Sequence, residues 1–169
     1  LTKNEFNVSL FGVPQRRKRL LLGNYPLPIE THYKPKSVNN LFNNNQGQKE
    51  CLTLGHIINS LSKKDKGFVS DPIYDLKIES KKFTDHNKAS MEGSELEKIR
   101  RAKVEHPYMG KMKFPDDLSV PSRTVVATQM GRETIVIQDK TNRKIAYRRP
   151  TVRECASLQS FPINYQFYG

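Results

Sequence analysis

Three long polar side chains, Gln15, Arg17 and Arg19, alternate in the segment Phe11-Gly12-Val13-Pro14-Gln15-Arg16-Arg17-Lys18-Arg19. In an extended backbone alternate residues point to one face, so these donors would line a groove together. A guanidinium is a planar fork that matches a phosphate or a base edge. On charge alone, the same run reads equally as a solvated basic strand end. Arg123 and Arg132 are a second pair of candidates. They stand at opposite ends of a β-branched stretch and the turn after it, and arginine is the commonest two-pronged reader of guanine in the major groove. Ordinary surface arginines are the competing reading. Arg153, in Thr151-Val152-Arg153-Glu154, joins them as a candidate DNA contact. Lys77, Lys81, Lys82 and Lys88 suit diffuse attraction to phosphates, although any one of them is more simply part of a solvated face.

Other chemistry is thinly represented. His32, His56, His86 and His106 have no ligand spacing, so no metal site is expected. Cys51 and Cys155 stand far apart in unlike contexts, which fits neither a disulfide framework nor a zinc site and suits a reducing compartment. Cys155 falls on the apolar face of an expected helix, where a thiol reads as buried core. The sequence contains no glycine-rich phosphate or cofactor loop and no credible nucleophile, so no catalytic residue is assigned to the chain.

The elements that must carry these residues follow from pattern. Pro14 bars a regular helix in the turn before residues 19–23, a short apolar run closed by Gly23 and read as a buried strand. Residues 24–50 hold Pro26, Pro28, Pro35 and the polar tract from Asn39 to Gln48, and read as an extended connection. Leu54, Ile57, Ile58 and Leu61 fall at helical spacing with Thr53 as cap. Residues 62–90 are lysine-rich and irregular. Ser94-Glu95-Leu96-Glu97 has the capping-box pattern and opens a helix to about Val104. Residues 123–128 and 133–138 predict two strands of a hairpin turning at Gly131, with residues 144–147 as a third strand. Thr151 and Glu154 form another capping box; the helix they open ends at Phe161-Pro162.

The whole chain sets the bounds. Its 169 residues suit one domain with pieces of a neighbour. Twenty-nine Lys and Arg against 17 Asp and Glu leave a net charge of +12, which attracts a polyanion. No run of about 18 apolar residues occurs, so no membrane partner is expected. Leu1 opens no signal pattern, and its place at the start predicts a segment cut from something longer.

Two blocks, Phe11 to Arg19 and Arg148 to Pro162, resemble the "FGxPQxRxR" and "LTxRECxxLQxFP" blocks of the DNA cytosine-5 methyltransferases. Pro150 and Ser160 depart from the second pattern without disturbing a helix entry and exit. The resemblance implies an α+β fold: a small target-recognition domain with a central β hairpin, flanked by a strand and a helix belonging to the α/β catalytic domain. Residues 1–23 would end the catalytic domain, 24–50 link, 51–147 form the recognition domain and 148–169 return to the catalytic domain. Gln15, Arg17 and Arg19 would frame the pocket, with Arg19 helping to hold the flipped cytosine and its flanking phosphate. Arg153 would brace the recognition hairpin. Cys51 lacks the Pro-Cys-Gln setting of the family's nucleophile.

The parent enzyme would methylate cytosine in a specific site of double-stranded DNA, using S-adenosylmethionine, in the cytoplasm of a bacterium with a restriction-modification system. This chain alone would bind no cofactor and transfer no methyl group. Its partners would be duplex DNA and the missing catalytic domain, in cis or as a second subunit, and its uncovered apolar faces would favour self-association. Two rival readings are a subunit of a split methyltransferase and a stand-alone basic DNA-binding module.

Overall fold

The computed structural model describes residues 1–33, 47–83, 85–105, 110–127, 131–141 and 144–167. Most of the polar tract, His106, residues 128–130 before the Gly131 turn and Asn142 lie outside them. Among the described residues, helices and small sheets mix, as an α+β reading requires.

The first block lies within a two-stranded ribbon. β1 (Thr2–Asn7) pairs antiparallel with β2 (Lys18–Gly23). Between them a 3-10 turn over Val8–Phe11 ends on Gly12 at φ +86°, a left-handed position suited to glycine. The strand over residues 19–23 is present but not buried within this chain: Leu20, Leu21 and Leu22 are 52%, 45% and 65% exposed. β1 is its only strand partner among the described residues. The described parts of residues 24–50 are anchored, because β3 (His32–Tyr33) and β4 (Lys49–Glu50) pair in parallel and Thr31 N–H bonds the Leu10 carbonyl.

α1 (Leu54–Ser62) buries Leu54, Ile57, Ile58 and Leu61, the four positions that its spacing marks. Thr53 caps it, accepting from His56 N–H at 3.0 Å. Leu54 and Gly55 N–H groups bond the Val120 and Leu118 carbonyls at 2.9 and 2.8 Å, so another part of the chain satisfies the helix start. Around α1 the main core collects Val69, Ile135, Ile137, Leu158 and Ile163. Val69 belongs to β5 (Phe68–Ser70), which pairs with β6 (Lys77–Glu79) in the stretch expected to be irregular.

α2 (Gly93–Val104) starts one residue before the expected cap, and no side chain caps it. The capping box does not form. The Glu97 carboxylate instead accepts from Arg100 and Arg101 at 2.8–2.9 Å. These charge-assisted bonds hold its pKa down to about 2 and outcompete a neutral N–H. Ile99 of α2 joins Met91 and Val136 in a second, smaller core.

The hairpin is real but shifted. β8 (Ile137–Thr141) pairs antiparallel with β9 (Lys144–Arg148), and β7 (Ser90–Met91) flanks β9. Residues 123–127 form no strand. Their neighbourhood bonds to the first block instead: Ser122 N–H to the Pro14 carbonyl at 3.0 Å, and Arg16 N–H to the Ser122 carbonyl at 2.7 Å. The β-branched pattern was therefore a sign of a half-buried extended segment, not of a hairpin arm. α3 (Val152–Leu158) begins with the expected capping box, Thr151 with Glu154. Apart from Val152, at 60% exposed, and half-buried Cys155, its side chains are covered within the chain.

Candidate nucleic-acid interface

The first block does not present Gln15, Arg17 and Arg19 on one face. Gln15 N–H bonds the Val13 carbonyl and Arg17 N–H bonds the Gln15 carbonyl, at 2.7 and 3.0 Å. Such two-residue closures are γ-turns, and they break the alternation of an extended strand. Gln15 is turned inward and 1% exposed. Its Nε2 donates to the Leu158 carbonyl at 3.0 Å, and its Oε1 accepts from Val125 N–H at 3.4 Å. One side chain thus ties the first block to the end of α3 and to the segment after Ser122. Arg17 is half-buried, and Arg19 is exposed with Nη1 on the Lys18 carbonyl. Arg16, at a position that the block leaves free, is exposed.

Arg123 and Arg132 converge on one residue. Arg123 Nη1 lies 3.4 Å and Arg132 Nε 2.8 Å from the Met112 sulfur. Arg132 Nη2 also donates to the Gly110 carbonyl at 2.7 Å. Arg123 Nε bonds Asp116 Oδ1 at 2.5 Å. The same carboxylate accepts from Lys103 Nζ at 2.6 Å and Val136 N–H at 2.9 Å. Lys103 is fully buried, and its burial lowers its pKa while Asp116 draws it back up. Lys103, Asp116 and Arg123 therefore form a buried ionic post. A charge taken from water needs partners of this kind.

Arg153 is 4% exposed. Among the described residues its side-chain bonds run to Asp85 and Tyr165, away from the hairpin. Its Nη2 donates to Asp85 Oδ2 and to the Tyr165 carbonyl, and its guanidinium packs over Phe83 and Phe167 with centroids at 5.9 and 5.5 Å. Bracing the hairpin falls to Arg148. It makes a two-pronged bond to Glu154 at 2.7 and 2.9 Å and reaches Asp139 of β8 at 2.6 Å. Glu154, fully buried, also accepts from Thr151 N–H at 2.8 Å. One carboxylate thus caps α3 and anchors the end of β9. The sequence offered only a partial signal for this: the Thr151–Glu154 spacing marked the cap, but nothing paired Arg148 with it.

Of the diffuse lysines, Lys77, Lys81, Lys82 and Lys88 are all exposed, and Lys88 donates to Ser62 Oγ at 3.1 Å. Cys51 is the buried cysteine and donates to the Ser9 carbonyl at 3.1 Å, whereas Cys155 is only half-buried. No His, Cys, Asp or Glu cluster among the described residues could hold a metal ion. No described helix is long and apolar enough to cross a membrane.

The arrangement supplies cations on short strips braced by buried ion pairs. A search of curated proteins gave no match, and neither did a search of solved structures. The family model described as C-5 cytosine-specific DNA methylase matches residues 4–169. That span includes both blocks and everything between them, and the chain belongs to the C-5 cytosine-specific DNA methylases.

Proposed function

We propose that this chain is the DNA-recognition part of a DNA (cytosine-5-)-methyltransferase: it grips duplex DNA, reads a site and frames the pocket for the flipped cytosine. The observation that carries the reading is the buried bond from Gln15 Nε2 to the Leu158 carbonyl. It brings the two family blocks together across the base of the molecule. The residues between them then form an excursion that begins and ends at one place and carries the sheet β7–β9–β8 and the Met112 strip. In this reading residues 24–50 link, residues 51–147 recognise, and Arg17 and Arg19 border the pocket. Arg123, Arg132 and Arg153 act on DNA chiefly by fixing the surfaces that meet it. A restriction-modification setting in a bacterial cytoplasm is the biological context that the resemblance implies.

C-5 DNA methylases take their methyl group from S-adenosylmethionine. The residues of this chain do not fit that group. A dinucleotide-like or cofactor loop needs a glycine-rich turn between a strand and a helix N-terminus. Gly55 and Gly93 each stand alone at a helix start, and the Gly55 N–H is already bonded to the Leu118 carbonyl. Cofactor and nucleophile therefore belong to a catalytic segment that works with this one. Selection from a randomised duplex library tests the recognition role. Enrichment of one short motif is expected, and uniform recovery of all sequences would leave the chain a non-specific basic module.

A further inference from the structure

The strip from Gly110 to Lys113 is held more firmly than a solvated lysine run requires. Exposure alternates along it: Lys111 and Lys113 face solvent while Met112 is half-buried between them. Met112 takes donors from Arg123 and Arg132 on its sulfur, its N–H bonds the Lys103 carbonyl at 2.9 Å, and the Gly110 carbonyl takes Arg132 Nη2. This alternation leaves Lys111 and Lys113 both on the solvent side of the strip, on either side of Met112. Arg16 and Lys113 share the rim of a cavity of about 330 Å³. The backbone bond of Arg16 to Ser122 fixes that side of the rim, and its guanidinium has no hydrogen-bond partner among the described residues.

The two carboxylates at this cavity do not cancel its field. Asp116 is already held by Lys103 and Arg123. Asp117 accepts from Lys113 and Ser119, and the Lys113 pair is exposed. An exposed pair is worth little, so Lys113 can exchange its partner for a phosphate. Cations placed in advance lose less freedom on binding than cations on loose loops.

We propose that Arg16, Lys111 and Lys113 form a rail for the phosphates of one strand of duplex DNA. The proposal rests on the recognition reading above, and it assigns affinity to three residues that neither block singles out. Phosphate contacts of this kind set register and carry no base preference.

The test compares two variants that each lower the net charge from +12 to +9 (12 − 3 = 9). One is Arg16→Gln/Lys111→Gln/Lys113→Gln. The other is Lys3→Gln/Lys64→Gln/Lys98→Gln, at exposed lysines elsewhere. Fluorescence anisotropy with a labelled duplex over a salt series gives the slope of log affinity against log salt. Each lost phosphate contact should reduce that slope by about 0.9, so the first variant should lose roughly 2 to 3 and the second less than about 1. Melting curves check folding, and Lys111→Gln alone should still show a loss of about 0.9. Equal losses in the two triple variants, or an unchanged slope in the first, would overturn the rail and leave DNA recognition standing. A parent chain that binds no duplex at all would remove the recognition reading as well.

Discussion

At the scale of single residues, the molecule depends on a few buried charges. Arg148→Met would leave Glu154 buried and uncompensated beside the α3 cap. Breaking a buried pair from one side costs about 3–5 kcal/mol, and urea unfolding should show a loss of that size. If the variant lost less than about 1 kcal/mol, the network would be ornamental. Gly55→Ala places a Cβ 2.7 Å from the Leu118 carbonyl oxygen. That oxygen is fixed by its bond to the Gly55 N–H, so the overlap should cost about 1–3 kcal/mol. Arg132→Ala should weaken binding to all DNA sequences alike, because its Nε and Nη2 bond Met112 and Gly110 and its Nη1 is buried. A loss confined to one base position in a library methylated by the intact enzyme would make it a base reader instead. Sequence alone could nominate Arg123, Arg132 and Arg153 as cations. It could not reveal their partners, since no helix or strand joins Arg123 to Asp116, and Met112 and Asp85 stand 20 and 68 positions from Arg132 and Arg153.

At the scale of elements, α1, α3, β2 and the last hairpin were largely legible. α1 follows from four apolar positions and a threonine cap, and α3 from the Thr151–Glu154 box. The arm expected over residues 123–128 failed because β-branched composition reports half-burial, whereas pairing depends on which backbone lies alongside. There the first block lies alongside. The start of α3 also carries a titratable neighbour: His86 Nδ1 is 2.9 Å from Thr151 Oγ1. Burial lowers the His86 pKa below 6.5, Lys88, Arg148 and Arg153 lower it further, and Glu154 opposes them. Below pH 6.5 the unfolded chain therefore takes up this proton more readily than the folded one. The contribution is intact above pH 6.5 and declines as pH falls towards the folded value. Urea midpoints measured from pH 7.5 to pH 5 should fall less steeply for His86→Gln than for the parent chain. Matching slopes would assign the acid sensitivity to the carboxylates.

At the scale of the whole molecule, charge and family point the same way. A net charge of +12 attracts DNA, and the family acts on it. The alignment of the two blocks into one base could be foreseen only through the resemblance, since no local pattern joins Gln15 to Leu158. Calorimetric titration with S-adenosylmethionine should give no saturable heat for this chain. One-to-one binding would place part of the cofactor site here. The exposed leucines of β2 should make the chain self-associate at high concentration, or gain stability when a catalytic segment is added in trans. Sedimentation that stays monomeric, with a melting point indifferent to that segment, would count against β2 as a docking edge.

The bond from Gln15 to Leu158 spans 143 positions. A ribosome adds about 5–20 residues each second, so the nascent ribbon waits roughly seven to thirty seconds for the helix that receives it. During that interval the apolar face of α1 and the Gln15 amide both wait for α3, since Leu158 closes the core and its carbonyl receives Gln15. The first block therefore leaves the ribosome well before the helix that fastens it. A chain halted before α3 should stay bound to chaperones, and one halted after it should be released.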